Sequence, residues 1–420
     1  MKLNKIGRGA LASIVSLAIG LGITACSRDY VLAYVYVTNA KPATAGTTDG
    51  TVTAYAVDYQ EGSLVPLSDS PIAAGKNPVT LVAAPDGQTI YVINRDDSNV
   101  MQFSIGTDGK LYLKNTVNIT GSFPTSAAID ASGKFLYVAF TYQTGPGGVQ
   151  LYSPASPGPG GVTVFSIDST GKPSVASTVN VGNNPVAIAV SRPVTVASTN
   201  TSVSYVYVVD QEPSPKATVL GFSQNQSTGA LTPVPGTVIT TVAGKTVATG
   251  FNAGIAPSAI AIDPSSRFVY VTDQDANQLY GYSIGSGGPL VPLLTSPYIT
   301  GQFPVGVTID PRGKYLYVVN KSSGTVSAYA IDTASGAPSG SVGSSSVSVA
   351  TQPTCAAVDP ALGIYLYVTN SLDGSVSGMK LDPHNGGLKQ VQNSPFISSG
   401  LPTCVVAVAN GSHPNQIIIQ

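Results

Sequence analysis

Apolar and polar positions alternate over short segments of this chain, and the segments recur. In FPVGVTIDPRGKYLYVVNKSSGTVSAYAID, Phe303 to Asp332, a strand starts after Pro304 and a DPRG turn leads into KYLYVVN. After a loop, TVSAYAID alternates apolar with polar residues, the two-residue period of a strand. A fourth strand, such as LVPLLTSPYITG from Leu290, completes the unit. No helical periodicity appears beyond the N-terminal segment.

This grammar returns seven times, with Tyr-Val pairs beginning at Tyr36, Tyr91, Tyr137, Tyr207, Tyr270, Tyr317 and Tyr367. The first turn recurs as APDG, DASG, DPSS, DPRG and DPALG, the second as GTDG, DSTG, QSTG, DTASG and DPHNGG. Pro presets a turn and Gly tolerates positive φ. Four short strands cannot bury both faces of one small sheet. Radial stacking of seven sheets does so, and closing the circle removes the exposed ends. An open solenoid is the alternative, but no polar capping repeat is visible. The predicted fold is therefore all-β, a seven-bladed β-propeller of four-stranded antiparallel blades. The first repeat lacks its Pro-led strand and starts at VLAYVYVTN, while LPTCVVAVANG follows Gly400 at the far end. Pairing of the N- and C-terminal segments is expected to close the ring. The segment NQIIIQ, Asn415 to Gln420, also reads as a strand and finds no place in this scheme.

Composition agrees: 45 Gly and 31 Pro suit many tight turns, and 43% apolar residues supply a core. The first 25 residues hold Lys2, Lys5 and Arg8 and no acid, which leaves 17 basic against 21 acidic residues in the remainder. No basic stripe exists to neutralise phosphates, so nucleic-acid binding has no electrostatic footing. A basic start, an apolar run from Ala10 to Ile23 and small residues before Cys26 have the form of a signal peptide, residues 1–25. Ile23-Thr24-Ala25-Cys26 resembles the bacterial lipobox, which implies a lipidated Cys26, a short tether over 26–30 and a propeller over 31–420. Ser27 after the cysteine implies the outer membrane, so a lipid-anchored cell-envelope location is expected. Cys355 and Cys404 occupy equivalent places, QPTC and LPTC, in neighbouring repeats. A disulfide and two buried thiols fit equally well.

The YVTN-type copies resemble the YVTN-repeat propellers and the seven-bladed lactonase family that includes bacterial 6-phosphogluconolactonase. The resemblance covers essentially the whole chain after the N-terminal segment. It implies the fold, and such folds host enzymes, binding modules and surface proteins alike.

Loops after the second and fourth strands share one face and vary most: from Asn39, from Thr141 to Gly161, from Asp210 and from Val234. Function is expected on that face. An insertion from Ser191 falls on the tight-turn face instead. Charged candidates on the loop-rich face are Lys76, Arg95, Asp96, Asp97, Glu212, Lys216, Asp273, Asp275 and Lys321. Glu212 and Arg95 are the candidates for activating water and polarising a lactone carbonyl; the others are candidate ligand contacts. The pairs Asp96/Asp97 and Asp273/Asp275 lack a recognised metal spacing, and no metal or other cofactor is expected. The lactonase family places histidine among the charged groups of its central cleft, whereas His384 and His413 here fall in turns of the opposite face. No C-x-x-C-H is present, which argues against haem, and there is no Trp. The leading expectation is a binding module presenting its loops to a protein, glycan or small molecule. The alternative is a lactone hydrolase acting on a sugar or related lactone.

Overall fold

The computed structural model describes residues 31–42, 49–143, 159–196, 201–211, 217–242, 245–339 and 346–411. The N-terminal segment with Cys26, the candidates Glu212 and Lys216, His413, most of the Thr141 to Gly161 loop and the Asn415 to Gln420 strand lie outside them.

Seven antiparallel sheets form the blades. Their first strands are Gly400–Ala409, Pro78–Ala83, Gly121–Ile129, Pro185–Val190, Pro257–Ile262, Pro304–Ile309 and Pro353–Val358, for blades 1 to 7. Each of these strands contacts the first strands of both neighbouring blades, so together they ring the axis. Val31–Pro42 pairs with Gly400–Ala409 on one side and Asp49–Asp58 on the other, so the two chain ends build blade 1 jointly. Second strands are buried along their central residues, and Thr89–Asn94 and Tyr365–Asn370 at every residue, because a blade packs against each face.

One bond accounts for both the repeating tyrosine and a repeating glycine. The hydroxyl of each Tyr-Val tyrosine donates to a glycine carbonyl in the second hairpin turn of the next blade. The pairs are Tyr36 to Gly109, Tyr91 to Gly171, Tyr137 to Gly229, Tyr207 to Gly288, Tyr270 to Gly336, Tyr317 to Gly386, and Tyr367 back to Gly62. All seven glycines have φ between 70° and 94°, as at Gly109 with φ 79°, a conformation that costs glycine no Cβ clash. The tyrosine ring fills the interface and its polar tip finds an acceptor, as a buried phenol requires. Burial pushes these hydroxyls well above the ordinary phenol range. Tyr55 and Tyr329, on third strands, donate backwards to Ile397 and Ile299 of the preceding blade.

Cys355 and Cys404 are joined in a disulfide with Cα atoms 4.9 Å apart. It ties the first strand of blade 7 to the C-terminal strand of blade 1, beside the seam where the ring closes.

Three features depart from the pattern read in the sequence. The fourth strand is not continuous: in blade 5 it splits into Leu290–Pro292 and Tyr298–Ile299, both paired with the third strand. The break falls at Ser296-Pro297, where proline cannot donate to the ladder, a feature tolerated at a sheet edge. The run from Val234, expected as a loop, contains a hairpin of Val238–Val242 with Lys245–Thr249 whose Ala248 packs against the apolar residues between blades 3 and 4. The Ser191 insertion likewise forms strand, with Val194–Val196 folding back on the start of Thr201–Asp210.

Candidate functional site

Each first strand carries a proline near its end on the loop-rich face, and hydroxyls bind that mouth together. Thr403 donates to the carbonyl of Pro78 in the next blade at 2.8 Å, Thr125 to Pro185 at 2.7 Å, Ser258 to Pro304 at 2.7 Å and Thr354 to Pro402 at 3.4 Å. The three other blades carry Val79, Val186 and Val305 at this position. The opening is thus framed by fixed backbone rather than by free side chains.

Just before these prolines stand residues that sequence reasoning missed. Asn77, Phe123, Phe303 and Gln352 all have φ between 51° and 57°. Positive φ at a bulky residue costs of order 1–3 kcal/mol and persists only where its surroundings hold it. The repeated Phe-Pro dipeptide, at Phe123-Pro124 and Phe303-Pro304, was the available signal. Phe123 is held by Ser98, whose hydroxyl accepts its amide at 3.2 Å, and by Tyr142, edge-on with ring centroids 5.6 Å apart.

Arg95 completes this group. Its guanidinium carbon lies 5.3 Å from the centroid of the Phe123 ring, a cation–π arrangement. Among the described residues no carboxylate pairs with it. The result is an oriented cation on the loop face between blades 2 and 3, free to meet an oxygen of a ligand.

The other predicted charges divide sharply. Asp97 accepts the Lys76 amide at 2.7 Å, and its carboxylate lies 3.9 Å from the exposed Lys76 ammonium. Asp273 is fully buried and accepts four backbone amides, from Ile255, Ala256, Asp275 and Ala276, at 2.7 to 3.2 Å. It occupies the asparagine position of the YVTN repeat, so the expectation that it contacts a ligand is corrected: it fixes a loop. The pairs Asp96/Asp97 and Asp273/Asp275 therefore do not converge, and no group of three or more His, Cys, Asp or Glu among the described residues could hold a metal. Asp96 and Asp275 are exposed. Lys321 stands apart from Arg95, on a cavity of about 620 Å³ between blades 6 and 7 that Phe303, Thr351 and Gln352 also line. His384 sits exposed in a second hairpin turn of the opposite face, its amide on Asp382 at 2.8 Å.

The family model described as "Lactonase, 7-bladed beta-propeller" matches residues 35–179 and 199–358. Among curated protein sequences none matches. Solved structures do. The periplasmic gluconolactonase of Pseudomonas aeruginosa is 21% identical, with 90% of this chain and 99% of that one aligned at a TM-score of 0.65. A protein of Bacteroides uniformis provisionally designated 6-phosphogluconolactonase is 19% identical, with 90% and 100% aligned at 0.67. Such identities speak to the fold. With the family model matching most of the chain and seven closed blades carrying its repeat, this protein belongs to the seven-bladed lactonase family of β-propellers.

Proposed function

We propose that the protein binds and opens a sugar lactone at the loop-rich face between blades 2 and 3. The observation that carries this reading is Arg95, held over Phe123 with no carboxylate partner among the described residues. A guanidinium so placed stabilises the oxyanion that forms when water adds to a lactone carbonyl. Asp96, in the same turn, is the carboxylate available to take the proton from that water and to return it to the ring oxygen as the acyl C–O bond breaks. Lactones are reactive esters, so a sparse site suffices. The test is a rate assay with five- and six-membered aldonolactones at mildly acidic pH, where spontaneous opening is slow. Arg95→Ala is expected to lower kcat/KM by about 100-fold, the range of one lost oxyanion donor, with the melting temperature unchanged. Equal rates with wild type and variant would end this assignment.

A second reading, binding without turnover, is favoured by one observation. Asp97 and Asp273 are committed to backbone amides, which thins the supply of catalytic carboxylates. Saturable binding of aldonolactone with no acceleration of opening would select it.

We also propose that the chain is exported and lipid-anchored at Cys26. The lipobox-like Ile23 to Cys26 supports this, and so does the Cys355–Cys404 disulfide, a bond typical of oxidising compartments. Incorporation of labelled fatty acid that vanishes in Cys26→Ala is the expected result.

A further inference from the structure

The direction of the first strand fixes how an anchor at Cys26 holds the propeller. Val31–Pro42 is the second strand of blade 1, and second strands run from the tight-turn face to the loop-rich face. Its first residue, Val31, pairs with Asp58 at the second hairpin turn of blade 1, and its carbonyl accepts from the Asn410 side-chain amide at 2.9 Å. Pro42, at the other end, pairs with Gly400 on the loop-rich face. The chain therefore enters the propeller from the tight-turn face. Five residue steps separate Cys26 from Val31, so the connection reaches at most about 18 Å, whereas the 12 residues of Val31–Pro42 cover about 36 Å. A bilayer that holds Cys26 cannot touch the loop-rich face.

The rim of the tight-turn face supplies a second observation. Each fourth strand starts at that rim, and in blades 1, 2 and 3 its first residues expose Val65, Tyr112, Leu113 and Val175. Tyr59 is exposed in the adjoining turn of blade 1. Val291 repeats the feature in blade 5, while blades 4, 6 and 7 begin this strand with Thr232, Ser339 and Lys389 exposed. Single exposed apolar residues are ordinary. Here they gather on three successive blades, starting with the one the chain enters. The charges of this sector are mixed, with Lys110 paired to Asp69 at 2.8 Å, so apolar contact outweighs charge as the attraction.

We propose that the propeller rests on its own membrane through the tight-turn rim of blades 1 to 3, with the loop-rich face and Arg95 turned away from the lipid. The proposal deepens the anchoring at Cys26 proposed above and rests on it. The anchor keeps the rim at the surface, and its apolar side chains enter the headgroup region. Ligands then reach Arg95 from the aqueous side.

The chain has no tryptophan, so single Trp reporters test this by fluorescence. The lipidated protein is reconstituted into phosphatidylcholine vesicles containing brominated lipid. Val65→Trp and Leu113→Trp, on the rim, should each be quenched about twofold, the effect of contact with the headgroup and acyl boundary. Leu372→Trp, exposed in the loop after the second strand of blade 7, should keep its full fluorescence. Tyr112→Asp with Leu113→Asp should remove most of the Val65→Trp quenching while leaving the melting temperature unchanged. Lack of fatty acid on Cys26 would end the anchoring reading alone. Orientation is then read on protein coupled to a maleimide phospholipid through Cys26, the one cysteine outside the disulfide. The proposal is overturned if Leu372→Trp is quenched as strongly as the rim reporters or if neither rim reporter is quenched. It is also overturned if Cys26→Ala protein sediments as a dimer that Leu113→Asp dissociates, which would assign the rim to a second copy of the chain.

Discussion

The two ends of the second strand in each blade follow different rules, although only two residues separate them. At the turn-face end the tyrosine bond to the next blade's glycine is made in all seven interfaces. At the loop-face end the residue changes: Asn39, Asn94, Asn320 and Asn370, but Asp210, Asp273 and, in blade 3, Phe140. The tyrosine reaches across to another sheet, so each loss weakens the ring. The polar residue at the other end ties down the loop entering its own blade, as Asn94 does with the Gly75 amide and Asn320 with the Gly301 amide, both at 3.1 Å. Constraint between blades preserves residue identity, while constraint within a blade tolerates exchange and leaves that face open to function.

The comparison can be broken most directly at blade 6. Tyr317→Ala is expected to lower stability by about 3–5 kcal/mol in denaturant titrations, the range for deleting a buried ring, and Asn320→Ala by about 1–2 kcal/mol. Equal costs would remove the distinction drawn above. Replacing Cys355 and Cys404 together by serine should cost about 2–4 kcal/mol, with the same loss on adding reductant to the wild type.

Alkali should act selectively on the tyrosine end. The buried phenols have raised pKa values in the folded state, with Tyr55 and Tyr365 pushed up to about 12 mainly by burial. Above pH 10 the unfolded chain loses phenolic protons that the folded chain retains, so stability falls as pH rises from 10 through the folded values. Below pH 10 this contribution is fully present. Absorbance at the phenolate wavelength should show the buried set ionising only together with unfolding; a smooth native-state titration of all 21 tyrosines would contradict it.

The smallest effect sharpens the loop face. Asp273→Ala should destabilise by about 1–3 kcal/mol because four amides lose their acceptor, while its exposed neighbour Asp275→Ala should stay within about 0.5 kcal/mol. Thermal melts of the two variants side by side check this.

Much of the fold was legible because it repeats. The strand alternation, the turn prolines and glycines, and the missing first strand of blade 1 each recur or fail to recur at readable places. The site was less so. Asp273 and Asp275 look alike in DQDANQ, yet one is buried under backbone amides and the other is exposed. Phe123 carried no charge to attract notice, and only its positive φ and its place under Arg95 mark it. Thr89 breaks a run of aromatic residues two positions before the repeat tyrosine, and Gln102 stands over Gly171 where the other blades set a ring.

By itself, then, the sequence determined the number of blades, their strand order and the tyrosine and glycine positions, because these follow from local periodicity summed over seven copies. Tertiary structure alone decided which carboxylates are committed to the backbone and that the two cysteines meet across the closing seam. Those outcomes depend on contacts between residues far apart in the chain, as with Cys355 and Cys404 at a separation of 49, and no repeat pattern encodes such distances.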